Sequence, residues 1–86
     1  NYIIMMFDQP VTSASALPPI KKQITTDANG LAYFDLNTMI TSTTPTTYYF
    51  EAFVSNGSGG YVWKSVTHYQ TNLAKGTMAT SSIIVN

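Results

Sequence analysis

From Tyr48 to Ser55 the chain alternates, with Tyr48, Phe50, Ala52 and Val54 on one side and Tyr49, Glu51, Phe53 and Ser55 on the other. A two-residue period in a run of aromatic and β-branched residues specifies an extended strand, because successive side chains leave a pleated backbone on opposite faces. Asn56-Gly57-Ser58-Gly59-Gly60 supplies a flexible hairpin loop, and Tyr61 to Tyr69 reads as the returning partner strand. This hairpin places the chain among antiparallel all-β domains.

The flanking segments extend that reading. Tyr2-Ile-Ile-Met-Met-Phe7 is a continuous apolar run, the pattern of a strand covered on both faces, and Asp8-Gln9-Pro10 ends it. Val11 to Pro19, rich in Ser and Ala, reads as an edge strand or a crossing loop. Ile20 to Thr26 and Leu31 to Leu36 flank Asp27-Ala28-Asn29-Gly30, a second hairpin in which Asp27 begins the turn and Gly30 takes the left-handed position. In its second arm Ala32, Phe34 and Leu36 form the expected core face. Gln70 to Gly76 is expected to turn the chain, and Thr77 to Val85 to form the last strand. The total is about six strands, no helix and one domain spanning residues 1–86, at spacings that suit a sandwich or barrel.

Composition limits function. Charged residues make up 9% of the chain, against about 25% in an average soluble domain. The net charge is zero and Lys21, Lys22, Lys64 and Lys75 are scattered, so there is no electrostatic footprint for nucleic acid or an anionic membrane. Thirteen Thr and eight Ser supply the polar faces instead, a trade common in extracellular proteins, and so little charge favours association. Without cysteine there is neither a disulfide framework nor a thiolate metal site. The longest apolar run, Tyr2 to Phe7, is far shorter than the roughly 18 residues of a transmembrane helix. Because the sequence opens on Asn1 and not Met, the expectation is a processed chain or an excised domain.

Two segments resemble known modules. Pro45 to Gly59, with Tyr48 opening an alternating face and Asn56 and Gly59 set for an Asn-x-x-Gly turn, resembles the penultimate strand of fibronectin type III domains. Thr25 to Leu36 is similar to the hairpin of invasin-type bacterial immunoglobulin-like domains and of collagen-adhesin B-type modules. The likeness covers about a third of the chain and implies an immunoglobulin-like antiparallel sandwich of six to seven strands in an extracellular setting. A fibronectin module would end soon after the hairpin that holds Asn56, whereas here a further strand is expected. The adhesin likeness implies a possible Lys–Asn cross-link assisted by a buried acid, with Lys21 or Lys22, Asn86 and Glu51 as the residues to consider.

Candidate chemistry is sparse. His68 is the only histidine, and no serine near it has a nucleophile-elbow context. Asp27-x-Asn29-Gly30 has the opening of a calcium loop, but the closing bidentate Glu of such a loop is Thr38 here, and the hairpin turn accounts for the same residues. Tyr61, Trp63 and Tyr69 fall on one face of a regular strand, either as core or as a platform for stacking sugar rings. Asn56-Gly57-Ser58 has the N-glycosylation pattern on an expected exposed loop.

The expected function is that of an extracellular or cell-surface structural or adhesive module, not an enzyme, with no cofactor or metal. Its partners are copies of itself or neighbouring domains, as in a filament or pilus-like appendage. Tyr2, Ile3, Ile4, Met5, Met6 and Phe7 are either the first strand of the chain's own sheet or a donor strand for a neighbour, and Ile83, Ile84 and Val85 are further contact residues. Six strands leave an immunoglobulin-like sandwich one short, which motivates the donor-strand alternative. The alternative function is a carbohydrate-binding accessory module built on Tyr61, Trp63 and Tyr69.

Overall fold

A computed structural model describes residues 1–86. It contains no helix and one antiparallel sheet of five strands: β1 (Ile3–Phe7), β2 (Lys22–Thr25), β3 (Thr46–Ser55), β4 (Tyr61–Trp63) and β5 (Tyr69–Leu73). No helix is long and apolar enough to cross a membrane. The order is β2-β1-β3, and β4 and β5 share the far side of β3. β4 lies along Phe53–Ser55 and β5 along Thr46–Phe50.

The N-terminal run is the centre of the sheet. β1 pairs with β2 through Ile3↔Thr25 to Met6↔Lys22 and with β3 through Ile3↔Phe53 to Phe7↔Tyr49. Met5, Met6 and Phe7 are fully buried. Ile3 to Phe7 thus has both edges occupied within its own chain, as the first strand of that chain's sheet. The apolar run is continuous because β1 is covered on both faces, so neither side chain parity can be polar.

Register assigns the side chains to two faces. Ile3, Met5, Phe7, Tyr49, Glu51 and Phe53 share the first face, where Met5, Phe7 and Phe53 pack with Val11 and Leu17 from the Val11–Pro19 loop. Phe7 meets Phe53 edge-on, with ring centroids 6.3 Å apart. Met6 and Phe50 lie on the second face with Leu73, and are overlaid by Phe34, Leu36, Ile40 and Ile83. Phe34 stands edge-on to Phe50 at 5.4 Å.

Both expected turns form, and they use one device. Asp27 N–H donates to Leu31 O (2.9 Å), while Asp27 Oδ1 accepts from Asn29 N–H and Leu31 N–H. Asn56 N–H donates to Gly60 O (3.1 Å), while Asn56 Oδ1 accepts from Ser58 N–H and Gly60 N–H. The fourth loop residue is left-handed in each, Gly30 at φ 78° and Gly59 at φ 84°, where a side chain would be strained.

Two expected strands and one expected turn come out differently. Leu31 to Leu36 keeps its alternation, with Phe34 and Leu36 packed on the second face and Leu31 and Tyr33 exposed, but it crosses over the sheet and does not pair. Thr77 to Val85 forms only an isolated bridge, Val85 to Ser65. The expected turn from Gln70 to Gly76 is instead mostly β5, and the chain reverses at Ala74–Thr77, where Gly76 is left-handed. The second face is thus roofed by irregular chain, and a second sheet is not formed by these residues.

Phe53→Ala should destabilise the chain by about 3–5 kcal/mol, because a fully buried aromatic is replaced by a cavity. Leu31→Ser should change stability by only about 0.5 kcal/mol or less, since Leu31 is 66% exposed. Urea unfolding followed by Trp63 emission measures both.

Candidate functional site

The segment Tyr61 to Tyr69 reads as one strand, but the structure divides it. Trp63 lies opposite Phe53 and Tyr69 opposite Phe50, so five residues, Lys64 to His68, face only Glu51 and Ala52 of β3. The surplus of three residues is odd, and an odd surplus reverses side-chain parity. Tyr61 and Trp63 pack on the first face and Tyr69 on the second. The aromatic platform of Tyr61, Trp63 and Tyr69 is therefore split across the sheet, and its stacking surface is not assembled.

The excursion is held at both ends. Lys64 N–H continues the ladder to Ala52 O (2.9 Å), and the Ser65 hydroxyl then bonds both Ala52 N–H and Ala52 O in place of a strand neighbour. On its outer side the excursion meets the C-terminal residues: Val66 N–H donates to Ile84 O, Ile84 N–H to Thr67 Oγ1, and Asn86 N–H to Lys64 O. These bonds pair polar groups of the two segments with each other, which gives the Ile83–Val85 end its place without a full strand.

What the excursion achieves chemically is the cover of one carboxylate. Glu51, only 2% exposed, lies between Tyr49 and Phe53 on the first face. Trp63 Nε1–H donates to Glu51 Oε1 (3.0 Å), and His68 Nδ1 lies 2.7 Å from Glu51 Oε2. The Trp63 and His68 rings are tilted against each other with centroids 5.5 Å apart. A buried carboxylate must be hydrogen-bonded to be tolerated, and here each oxygen has one donor. With Glu51 ionised, its bond to His68 requires the proton on Nδ1. Nε2 is then the ring's free nitrogen, on a side chain that is 58% exposed.

This pair orients a histidine without presenting it to a nucleophile. The Ser65 hydroxyl is committed to Ala52, and the Thr67 hydroxyl accepts from Ile84 N–H. No group of three or more His, Asp or Glu side chains is set to hold a metal ion. The arrangement acts as a clamp: it fixes Trp63 and His68 on either side of the interruption between β4 and β5.

The other residues singled out in the sequence are dispersed. Asn56 is exposed at the start of the β3–β4 loop, directly after β3. Its side chain shapes that loop, and Gly60 must stay small because a Cβ there would lie 2.7 Å from Asn56 Nδ2. Lys21 Nζ pairs with Asp8 (3.4 Å) and Lys22 Nζ donates to Asp35 O (2.9 Å), while Glu51 bonds Trp63 and His68. The suggested Lys–Asn cross-link with Glu51 as its acid is thus not brought together. Ile83 packs on the second face and Ile84 is exposed.

The second face holds the other candidate site. An open groove of about 760 Å³ runs between the sheet and the two segments that cross it, floored by Phe50, Tyr69 and Leu73 and bordered by Phe34 and Ile83. At its rim Leu31, Tyr33 and Met78 are 66%, 80% and 90% exposed.

The role of the Glu51 clamp is open to a direct check. In Glu51→Gln the new amide can still accept from Trp63 and donate to His68, so the fold should survive while the neutral imidazole moves its proton from Nδ1 to Nε2. Imidazole nitrogen chemical shifts report that change of tautomer. Unchanged shifts would place the carboxylate–imidazole bond outside the account. No protein-family model, curated protein or solved structure matches the chain.

Proposed function

We propose that the chain is a non-enzymatic structural or adhesive module of an extracellular or cell-surface protein, which works by packing against copies of itself. In this reading the single sheet is one layer of an immunoglobulin-like sandwich, and the neighbouring copy supplies the rest of the second layer. The observation that carries the proposal is the groove on the second face, with Leu31, Tyr33 and Met78 exposed along its rim. Large apolar side chains grouped around an apolar floor are what a contact surface presents, whereas isolated ones are ordinary.

Composition supports the same reading. Zero net charge removes the repulsion that keeps like chains apart, and a surface of Thr and Ser without cysteine suits an extracellular setting. Asn56, exposed at the start of the β3–β4 loop and away from the groove, is where a glycan would be accommodated in that setting. In this proposal the contacts lie on the second face and its rim.

Sedimentation velocity over a range of concentrations tests the proposal. The chain should associate reversibly, and the triple variant Leu31→Ser, Tyr33→Ser, Met78→Ser should remain monomeric with the same circular dichroism. A wild-type chain that stays monomeric throughout would refute the proposal.

A further inference from the structure

The backbone edges of the sheet differ in how they are protected. An unpaired edge invites another strand, and natural sheets block it with charge, proline, a bulge or covering chain. At β2 the approach is through Pro18, Pro19, Lys21 and Lys22, and the Lys22 ammonium reaches across to Asp35 O. β4 is only three residues long, and the excursion after it is bridged to Val85.

β5 has none of these devices. Tyr69-Gln70-Thr71-Asn72-Leu73 contains no charge, proline or bulge, and its backbone makes hydrogen bonds only to β3. Five uncharged residues with one side of their backbone unpaired form the least protected edge of the molecule.

The sequence of this edge also fits its own copy. In an antiparallel pair with a two-fold axis at Thr71, Tyr69 lies opposite Leu73 and Gln70 opposite Asn72. Tyr69, Thr71 and Leu73 share the groove face, while Gln70 and Asn72 are exposed on the other side. Apolar side chains thus meet on the groove side and amides on the solvent side, the pairings that stabilise neighbouring strands. The pairing would also continue the apolar floor of one groove into the next, and zero net charge leaves no long-range repulsion between copies.

We infer that β5 is a homotypic docking edge, at which two copies join their sheets through antiparallel β5–β5 pairing about Thr71. The inference rests on the self-association proposed above and names an additional edge contact, in the plane of the sheet, that must form before copies pack over the second face. The partner is a second copy of this chain, joined by an isologous contact that closes on itself.

The absence of cysteine makes the test clean. In Thr71→Cys the two new thiols face each other across the axis. Directly opposed residues of antiparallel strands have Cα atoms about 4.5–5.5 Å apart, within the roughly 4.4–6.8 Å that a disulfide spans. Under mild oxidation this variant should form a covalent dimer on the order of a hundredfold faster than Gln23→Cys on the β2 edge, because paired thiols meet at a local concentration near millimolar and not at a bulk value of about ten micromolar. The double variant Gln70→Lys, Asn72→Lys should abolish association while keeping the circular dichroism and Trp63 emission of the wild type, since it opposes like charges across the pair. If the wild type associates but Thr71→Cys cross-links no faster than Gln23→Cys and the double lysine variant still associates, the β5 edge is excluded and self-association stands. If the wild type is monomeric at every concentration, both fail.

Discussion

The structure depends on β3, whose ten residues carry large apolar side chains on both faces and so require two separate covers. Everything that pairs with or crosses this strand can be understood as meeting that demand. β1 lies along its central half, Tyr49 to Phe53, and adds buried methionines to both faces, Met5 to one and Met6 to the other. Methionine suits that position because its flexible side chain fills irregular gaps beneath non-repetitive chain.

The two faces meet the demand unequally. On the first face, Val11 and Leu17 close over Phe7 and Phe53, and the one acid there, Glu51, has each of its oxygens hydrogen-bonded, by Trp63 and His68. To deliver both donors the returning chain departs from β3 between β4 and β5. That departure reverses parity, places Tyr69 on the second face, and frees the outer side of Lys64–His68 to hold the C-terminal residues. One buried carboxylate is therefore linked to the interruption of a strand, the position of an aromatic ring and the anchoring of the chain end. The second face has only irregular segments for its roof, which leaves the groove and the exposed rim.

Much of this was legible from local signals. The alternation of Tyr48 to Ser55, the apolar run of β1 and the two Asp/Asn-to-Gly turns are written in residues that contact their sequence neighbours; both turns form, and the alternating strand begins two residues earlier than expected, at Thr46. The alternation of Leu31 to Leu36 gave the correct buried set, but the direction the segment takes is decided by Phe50 and Met6, which lie elsewhere in the chain. Val62 to Thr67 suits an unbroken strand equally well by propensity. Its interruption lies opposite Glu51, which Trp63 bonds from one side of the break and His68 from the other. The signal for that was present, since Glu51 is flanked on its own face by Tyr49 and Phe53, and an acid in an apolar row needs donors from its neighbours. Thr77 to Val85 has strand composition but finds no free edge of β3 left to pair with.

The central claim is that the sheet is complete at its centre and unfinished at its β5 edge and second face. Site-resolved amide exchange at several protein concentrations tests it most directly, because protection records which backbone groups are paired and whether the pairing lies within or between chains. The account predicts strong, concentration-independent protection through β1 and the centre of β3, together with protection across Tyr69–Leu73 that rises as the chains associate. Fraying of β1 like a terminal strand, or protection of β5 that does not vary with concentration, would contradict it.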